Sequence, residues 1–179
     1  MARTGSAVGI RRTGPSVIGI YLNDHLAGAT AGTELARRVA GSAQERAEHA
    51  TLGDFAAEVA QDRAALLDIM AALGVAVRTY KVCAAWVGEK AGRLKLNGRL
   101  FTKSPLSRLE ELELLRLGVE GKAAGWRTLR VLANTDERLD PVRLDELIAR
   151  ARRQAELLED LRIRAADHVI SVERGSPGR

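Results

Sequence analysis

Four polar residues interrupt long apolar patterns in this chain, and their types could together perform metal or hydrogen-bond chemistry. They lie in four stretches whose apolar residues recur at helical spacing, one in each stretch: His25, Asp62, Glu120 and Gln154. A histidine nitrogen, two carboxylates and an amide oxygen would suit a mononuclear zinc, manganese or iron ion if they converged. The alternative is a buried network of hydrogen bonds and ion pairs that aligns the helices. One polar residue per helix is few for a metal, so we expect the network, with no bound metal and no cofactor.

The elements that must position these residues are four long helices. The apolar patterns predict them over 17–41, 51–74, 105–133 and 141–170. Ser16 is a suitable N-cap for the first helix, and Gly74 is a suitable stop for the second. Pro105 and Pro141 stand at the first turns of the third and fourth. No strand pattern is evident, so the sequence predicts an all-α fold.

The connection between the second and third helices is long and contains a shorter amphipathic stretch, residues 79–96. A connection of about 30 residues lets the third helix run parallel to the second instead of antiparallel. With this helix order, and with the segments FAAEVAQDRAALLDIMAALGV and LGVEGKAAGWRTL, residues 17–170 resemble the ferritin-like superfamily, particularly its small bacterial stress-associated members. The resemblance implies a ferritin-like four-helix bundle with a long crossover that carries an extra short helix.

The same resemblance bears on activity. Di-iron members have a Glu on the first and third long helices and Glu-x-x-His on the second and fourth. Glu120 matches the Glu of the third helix, but the other corresponding positions hold Ala29, Asp62 with Val59, and Gln154 with Leu157. The resemblance therefore implies the fold while arguing against di-iron oxidation, and we expect a bundle without catalytic activity.

We expect a flexible tail at 1–15, one helical domain over 16–171 and a second flexible tail at 172–179. The single cysteine, Cys83, excludes an internal disulfide and favours a reducing compartment. No apolar run is long enough to span a membrane or to form a signal peptide, so we predict a cytoplasmic protein without a membrane partner.

Small residues mark a candidate packing surface on the first helix. In the segment AGATAG, Gly28 and Gly32 are four apart and lie among alanines, so another helix could approach closely. The neighbour is either a helix of the same chain or a second subunit. Together with Trp86 on the short amphipathic stretch, these glycines form our candidate helix-packing or dimer face, and we expect a homodimer.

The chain has a net charge of +5, with a local excess of cations at 81–103. A solvated face and an anionic partner are the two readings of this basic segment. Nucleic acid is the less expected partner, because no stacking aromatics or known DNA- or RNA-binding spacing accompany the charges. The leading hypothesis is therefore a structural or protein-interaction module. A metal-binding protein or oxidoreductase is the first alternative, and a nucleic-acid-associated protein the second.

Overall fold

A computed structural model describes residues 16–43, 45–78 and 105–175 of the chain. These ranges contain no strand and form four α-helices: α1 (Val17–Ser42), α2 (Arg46–Ala72), α3 (Pro105–Leu132) and α4 (Pro141–Gly175). The predicted all-α fold with four long helices is confirmed. The predicted short helix at 79–96, the basic segment at 81–103 and the N-terminal tail at 1–15 lie outside the described residues.

Local signals in the sequence account for where α1 begins and α2 ends. The Ser16 side-chain oxygen accepts a hydrogen bond from the backbone N–H of Gly19 at 3.1 Å, as an N-cap residue should. After α2, Gly74 has a φ of +68°, a left-handed conformation that glycine adopts without strain. The next backbone N–H, from Val75, donates to the Met70 carbonyl at 2.8 Å and satisfies an end group of the helix.

Two helix boundaries differ by more than two residues from those predicted. α2 begins at Arg46 rather than at 51, because its first turn has favourable polar contacts of its own. Glu48 lies in that turn, where the helix dipole favours negative charge, and the His49 Nδ1 lies 2.9 Å from the Ala40 carbonyl oxygen. At the other end of the chain, α4 continues to Gly175, so residues 172–175 of the predicted C-terminal tail are helical.

The helices form two antiparallel hairpins. In the first, the start of α1 meets the chain beyond α2, where Asn23 donates to the Ala76 carbonyl at 3.1 Å. In the second, Arg130 near the end of α3 pairs with Asp145 near the start of α4 at 3.1 Å. The hairpins pack through α1 and α3, which are also antiparallel because Tyr21 contacts Thr128 while Arg38 pairs with Glu111.

α2 and α3, by contrast, run in the same direction. Arg108 pairs with Glu48, and Lys122 pairs with Asp62, with 60 positions between the partners in both cases. Two contacts whose partners differ by the same number of residues arise only between helices that run parallel. The end of α2 and the start of α3 therefore lie at opposite ends of the bundle.

The core is mainly aliphatic, with Phe55 and Trp126 as its buried aromatic side chains. Most of the close backbone contacts between helices lie within each hairpin and between α1 and α3. α2 makes few such contacts with α3 and α4, so long side chains join them. No helix in the described ranges has an apolar stretch long enough to cross a bilayer.

Candidate functional site

A cluster of charged and amide side chains lies inside the bundle, between α2, α3 and α4. We call it the polar centre and define it by five residues: Glu58 and Asp62 on α2, Lys122 on α3, and Arg150 and Gln154 on α4. Asp62 and Gln154 are each only 2% exposed. Buried polar groups of this kind persist in a core only when they are paired.

Asp62 is the negative charge at the middle of the polar centre. Its Oδ2 lies 2.5 Å from the Lys122 ammonium nitrogen. Its Oδ1 lies 3.0 Å from the Arg150 Nε, an ion pair whose geometry falls short of a directed hydrogen bond. The carboxylate is thus held between two cations that enter from different helices.

Gln154 connects the two carboxylates of the centre. Its side-chain oxygen accepts a hydrogen bond from Lys122 at 2.5 Å. Its amide nitrogen donates to Glu58 at 2.8 Å and to Asp62 at 3.3 Å. An amide fits here because it both donates and accepts, which a carboxylate in its place could not do without a proton.

Charge is balanced within the polar centre, where two carboxylates face two cations. Lys122 reaches this position from a side chain that remains 15% exposed. Burial lowers the pKa of the Lys122 ammonium group, while the nearby Asp62 carboxylate acts in the opposite direction. A buried charge in this setting aligns helices more than it stabilises them, because desolvation offsets much of the attraction.

The structure brings together two of the four residues predicted to form this cluster, Asp62 and Gln154. Glu120 is exposed, so the prediction that it belongs to a buried cluster is wrong. Its backbone position is turned toward the outer groove between α3 and α4, where Arg116 and Arg127 are its neighbours in the lining of a cavity of about 360 Å³. A 3.6-residue period places Glu120 beside, not on, the buried row of α3.

His25, the fourth predicted residue, lies at the α1–α3 contact, and its described contacts do not include the polar centre. It is half-buried, its ring meets that of Tyr21 edge-on with centroids 4.5 Å apart, and it lies against the backbone of Gly125. Burial lowers the pKa of its imidazole, with the Asp24 carboxylate as the opposing influence. The contacts identify it as a packing residue of the α1–α3 contact.

Lys122 is the central residue that the sequence analysis missed, although a signal for it was present. It lies three residues after Val119 and four before Trp126, which are both buried. Residues at those spacings share one helix face, so Lys122 had to point inward. Similarly, Glu58 and Arg150 each lie four residues before a predicted member, Asp62 or Gln154, on the same helix face.

The described residues hold no group of three or more His, Cys, Asp or Glu side chains placed to bind a metal ion. The side-chain oxygens of the polar centre that could ligate a metal belong to Glu58, Asp62 and Gln154. These three side chains already contact Lys122 or one another. Besides the groove beside Glu120, a cavity of about 340 Å³ lies between α2 and α4, next to Arg150. Both cavities open to solvent and carry both signs of charge, so neither resembles an enclosed, mostly apolar ligand site.

The candidate packing face can be located in part. Gly28 is exposed and Gly32 half-buried, and a Cβ added at either position would meet no heavy atom within 4 Å. These glycines therefore do not mark a tight contact with another described part of the chain. Trp86, the third residue of the predicted face, lies outside the described residues. Comparison of the chain with protein-family models, with curated proteins and with solved structures gave no match.

Proposed function

We propose that this chain is a ferritin-like bundle that acts as a structural or protein-interaction module, as a homodimer and without catalytic activity of its own. The single observation that carries the proposal is the position of Lys122. Its ammonium group supplies, from within the chain, the positive charge that Asp62 requires. A bundle whose central carboxylate is neutralised by its own lysine has no need of a metal cation at that place.

The ferritin-like assignment draws support from the helix directions. Two antiparallel hairpins, together with a parallel α2 and α3, are the arrangement that a bundle with one long crossover requires. The interaction role draws support from the exposed Gly28 and from the space beside Gly28 and Gly32, where an added Cβ would meet no heavy atom of the described residues within 4 Å. A cytoplasmic location remains a prediction from the sequence.

Elemental analysis and metal titration test the absence of metal chemistry. Protein purified without chelator should contain no stoichiometric transition metal, and calorimetric titration with zinc, manganese or ferrous ion should show no tight site. Lys122→Met is the informative companion, because it removes one of the two cations beside Asp62 and leaves Asp62, Glu58 and Gln154 in place. One tightly bound metal per wild-type chain, lost in Asp62→Asn, would instead establish the metal-binding alternative.

Light scattering tests the assembly. At micromolar concentration the protein should have twice the mass of the 19.3 kDa chain. A monomer under these conditions would contradict the homodimer. The nucleic-acid alternative predicts a different result, namely binding to generic DNA that weakens steeply as salt is added.

A further inference from the structure

We infer that the homodimer forms through the outward face of α1, packed antiparallel against the same face of a second copy. The inference rests on the proposed homodimer and assigns its interface. The outer face of α1 consists of residues spaced four or three apart on the side away from the core: Ile20, Asp24, Ala27, Ala31 and Arg38. The half-buried Leu35, which also packs against the core, lies at the edge of this face. The opposite side of the helix is occupied by the core, with Leu22, Leu26 and Ala36 buried.

The charges on this face are arranged symmetrically about one residue. Asp24 and Arg38 are both exposed, and each lies seven residues, or about two helical turns, from Ala31. A twofold axis through Ala31 in an antiparallel pair would therefore place Asp24 of each copy opposite Arg38 of the other. Isologous interfaces require this self-complementarity, and each charge pair occurs twice in the dimer.

The side chains between these charges suit a close approach of two helices. Ala31 would meet its own copy at the axis, and Ala27 would lie opposite Leu35, so a small side chain faces a large one. Gly28 flanks the axis, is exposed and has open space where a Cβ would stand. The helices could then approach to about 8 Å, the lower end of the usual interaxial range.

Arg38 can take part without giving up its contact within the chain. Its guanidinium lies 3.2 Å from the Glu111 carboxylate of α3, and its side chain is still 63% exposed. A guanidinium has five N–H donors, so it can contact Glu111 and an Asp24 from a second copy together. Because such pairs lie near solvent, added salt should weaken the dimer.

Charge reversal tests the pairing. Asp24→Arg and Arg38→Asp should each convert the dimer to a folded monomer in light scattering, because like charges would then face each other twice. Mixing the two monomeric variants should restore a dimer, since an arginine at 24 would face an aspartate at 38 and the second pair would be native. Arg37→Asp is the matched control, with the same charge change on the exposed side chain one position earlier, and it should remain a dimer.

A cysteine at the proposed axis gives an independent readout. In a Cys83→Ser background, Ala31→Cys should form a covalent dimer under mild oxidation, because each new thiol would face its copy. Gly53→Cys, on an exposed position of α2, should not. A wild-type dimer that survives both charge reversals and does not cross-link at position 31 would overturn this interface while leaving the homodimer standing. A wild-type monomer would overturn both.

Discussion

The ammonium nitrogen of Lys122 lies 2.5 Å from the Oδ2 of Asp62, although 60 positions of the chain separate the two residues. The contact joins α2 to α3, the parallel helices, whose backbones make few close contacts with each other. The long, flexible lysine side chain reaches from α3 to the short acidic side chain on α2. The pair therefore specifies which turns of the two helices lie at the same height.

Replacing Asp62 by leucine should destabilise the protein. The substitution leaves Lys122 and Arg150 partly buried without the carboxylate between them, and breaking a buried pair in this way typically costs about 3–5 kcal/mol. Urea unfolding followed by circular dichroism measures the change. An unchanged or increased free energy of unfolding would mean that solvent already screens the two cations in the native protein.

The paired substitution provides the control for this experiment. Lys122→Met alone should cost less than Asp62→Leu, because Arg150 still compensates the Asp62 carboxylate. The double variant, with Asp62→Leu and Lys122→Met together, should lose less free energy of unfolding than the sum of the two single losses. The difference should be about 1–3 kcal/mol, as expected for residues in one network. Strict additivity would show that the Lys122–Asp62 contact contributes no coupling energy.

The pKa of Lys122 predicts how stability depends on pH. Burial lowers this pKa below 10.5 in the folded chain, despite the neighbouring carboxylates of Asp62 and Glu58. At pH values between the lowered pKa and 10.5, the unfolded chain therefore binds more protons than the folded chain does at Lys122. The free energy of unfolding rises with pH over this range. Below that window both states are protonated, and the contribution of Lys122 is constant.

The measurement is the difference in unfolding free energy between wild type and Lys122→Met, followed from neutral pH upward. Subtraction of the variant removes the titration of tyrosines and other lysines, which both proteins share. The free energy of unfolding of wild type minus that of Lys122→Met should increase as pH approaches 10.5. A difference that falls with pH would show that Asp62 outweighs burial and raises the pKa of Lys122.

The fold was largely predictable from local patterns in the sequence. Ser16 and Gly74 marked two of the helix ends that the structure confirms, because a cap and a left-handed turn depend only on nearby backbone. The start of α2 was placed too late, since its first turn is held by contacts with α1 and α3, such as the Arg108–Glu48 pair. Contacts of this kind cannot be read from a local pattern.

The polar centre was predictable only in part. Asp62 and Gln154 lie on apolar rows, so their burial followed from spacing alone. Glu120 was predicted to be buried because it interrupts the apolar pattern of the third helix, although the burial of Val119 and Ala123 turns it outward. Lys122 was overlooked because a lysine on a buried row is rare, and its pairing depends on residues from two other helices.

Glycine substitutions on α3 should distinguish an open position from a crowded one. Gly121→Ala should stabilise the protein by up to about 1 kcal/mol, because alanine favours helix and the new Cβ meets no atom within 4 Å. At Gly125 the same Cβ would lie 3.0 Å from the Cε1 of His25, so the gain should be smaller or reversed. Thermal unfolding of the two variants gives the comparison.

His25→Ala tests the cause of that difference. Removing the imidazole clears the space beside Gly125, so Gly125→Ala should then become as favourable as Gly121→Ala. The measurement is the change in thermal stability caused by Gly125→Ala, once in the wild-type background and once in the His25→Ala background. Equal effects in both backgrounds would show that His25 moves aside at negligible cost.

The last prediction concerns Asn23, which ties the chain beyond α2 to the first turns of α1. Its amide nitrogen donates to the carbonyls of Gly19 at 2.7 Å and Ala76 at 3.1 Å, and its Oδ1 accepts from the backbone N–H of Arg78 at 2.8 Å. Asn23 is only 3% exposed, and its removal takes the side-chain partner from the part-buried Ala76 carbonyl and Arg78 N–H. Asn23→Ala should lower the free energy of unfolding by about 1–3 kcal/mol.

Hydrogen exchange separates this local effect from a general loss of stability. In Asn23→Ala, the amide of Arg78 should lose its protection, while amides in the middle of α2 should exchange faster only as far as global stability falls. Thr30→Ala is a suitable comparison, because the Thr30 hydroxyl donates to the Leu26 carbonyl within α1 and accepts from the half-buried Arg63, without contacting residues 75–78. If the Arg78 amide stays protected in Asn23→Ala, other contacts hold residues 75–78 against α1, and the asparagine is not the tether.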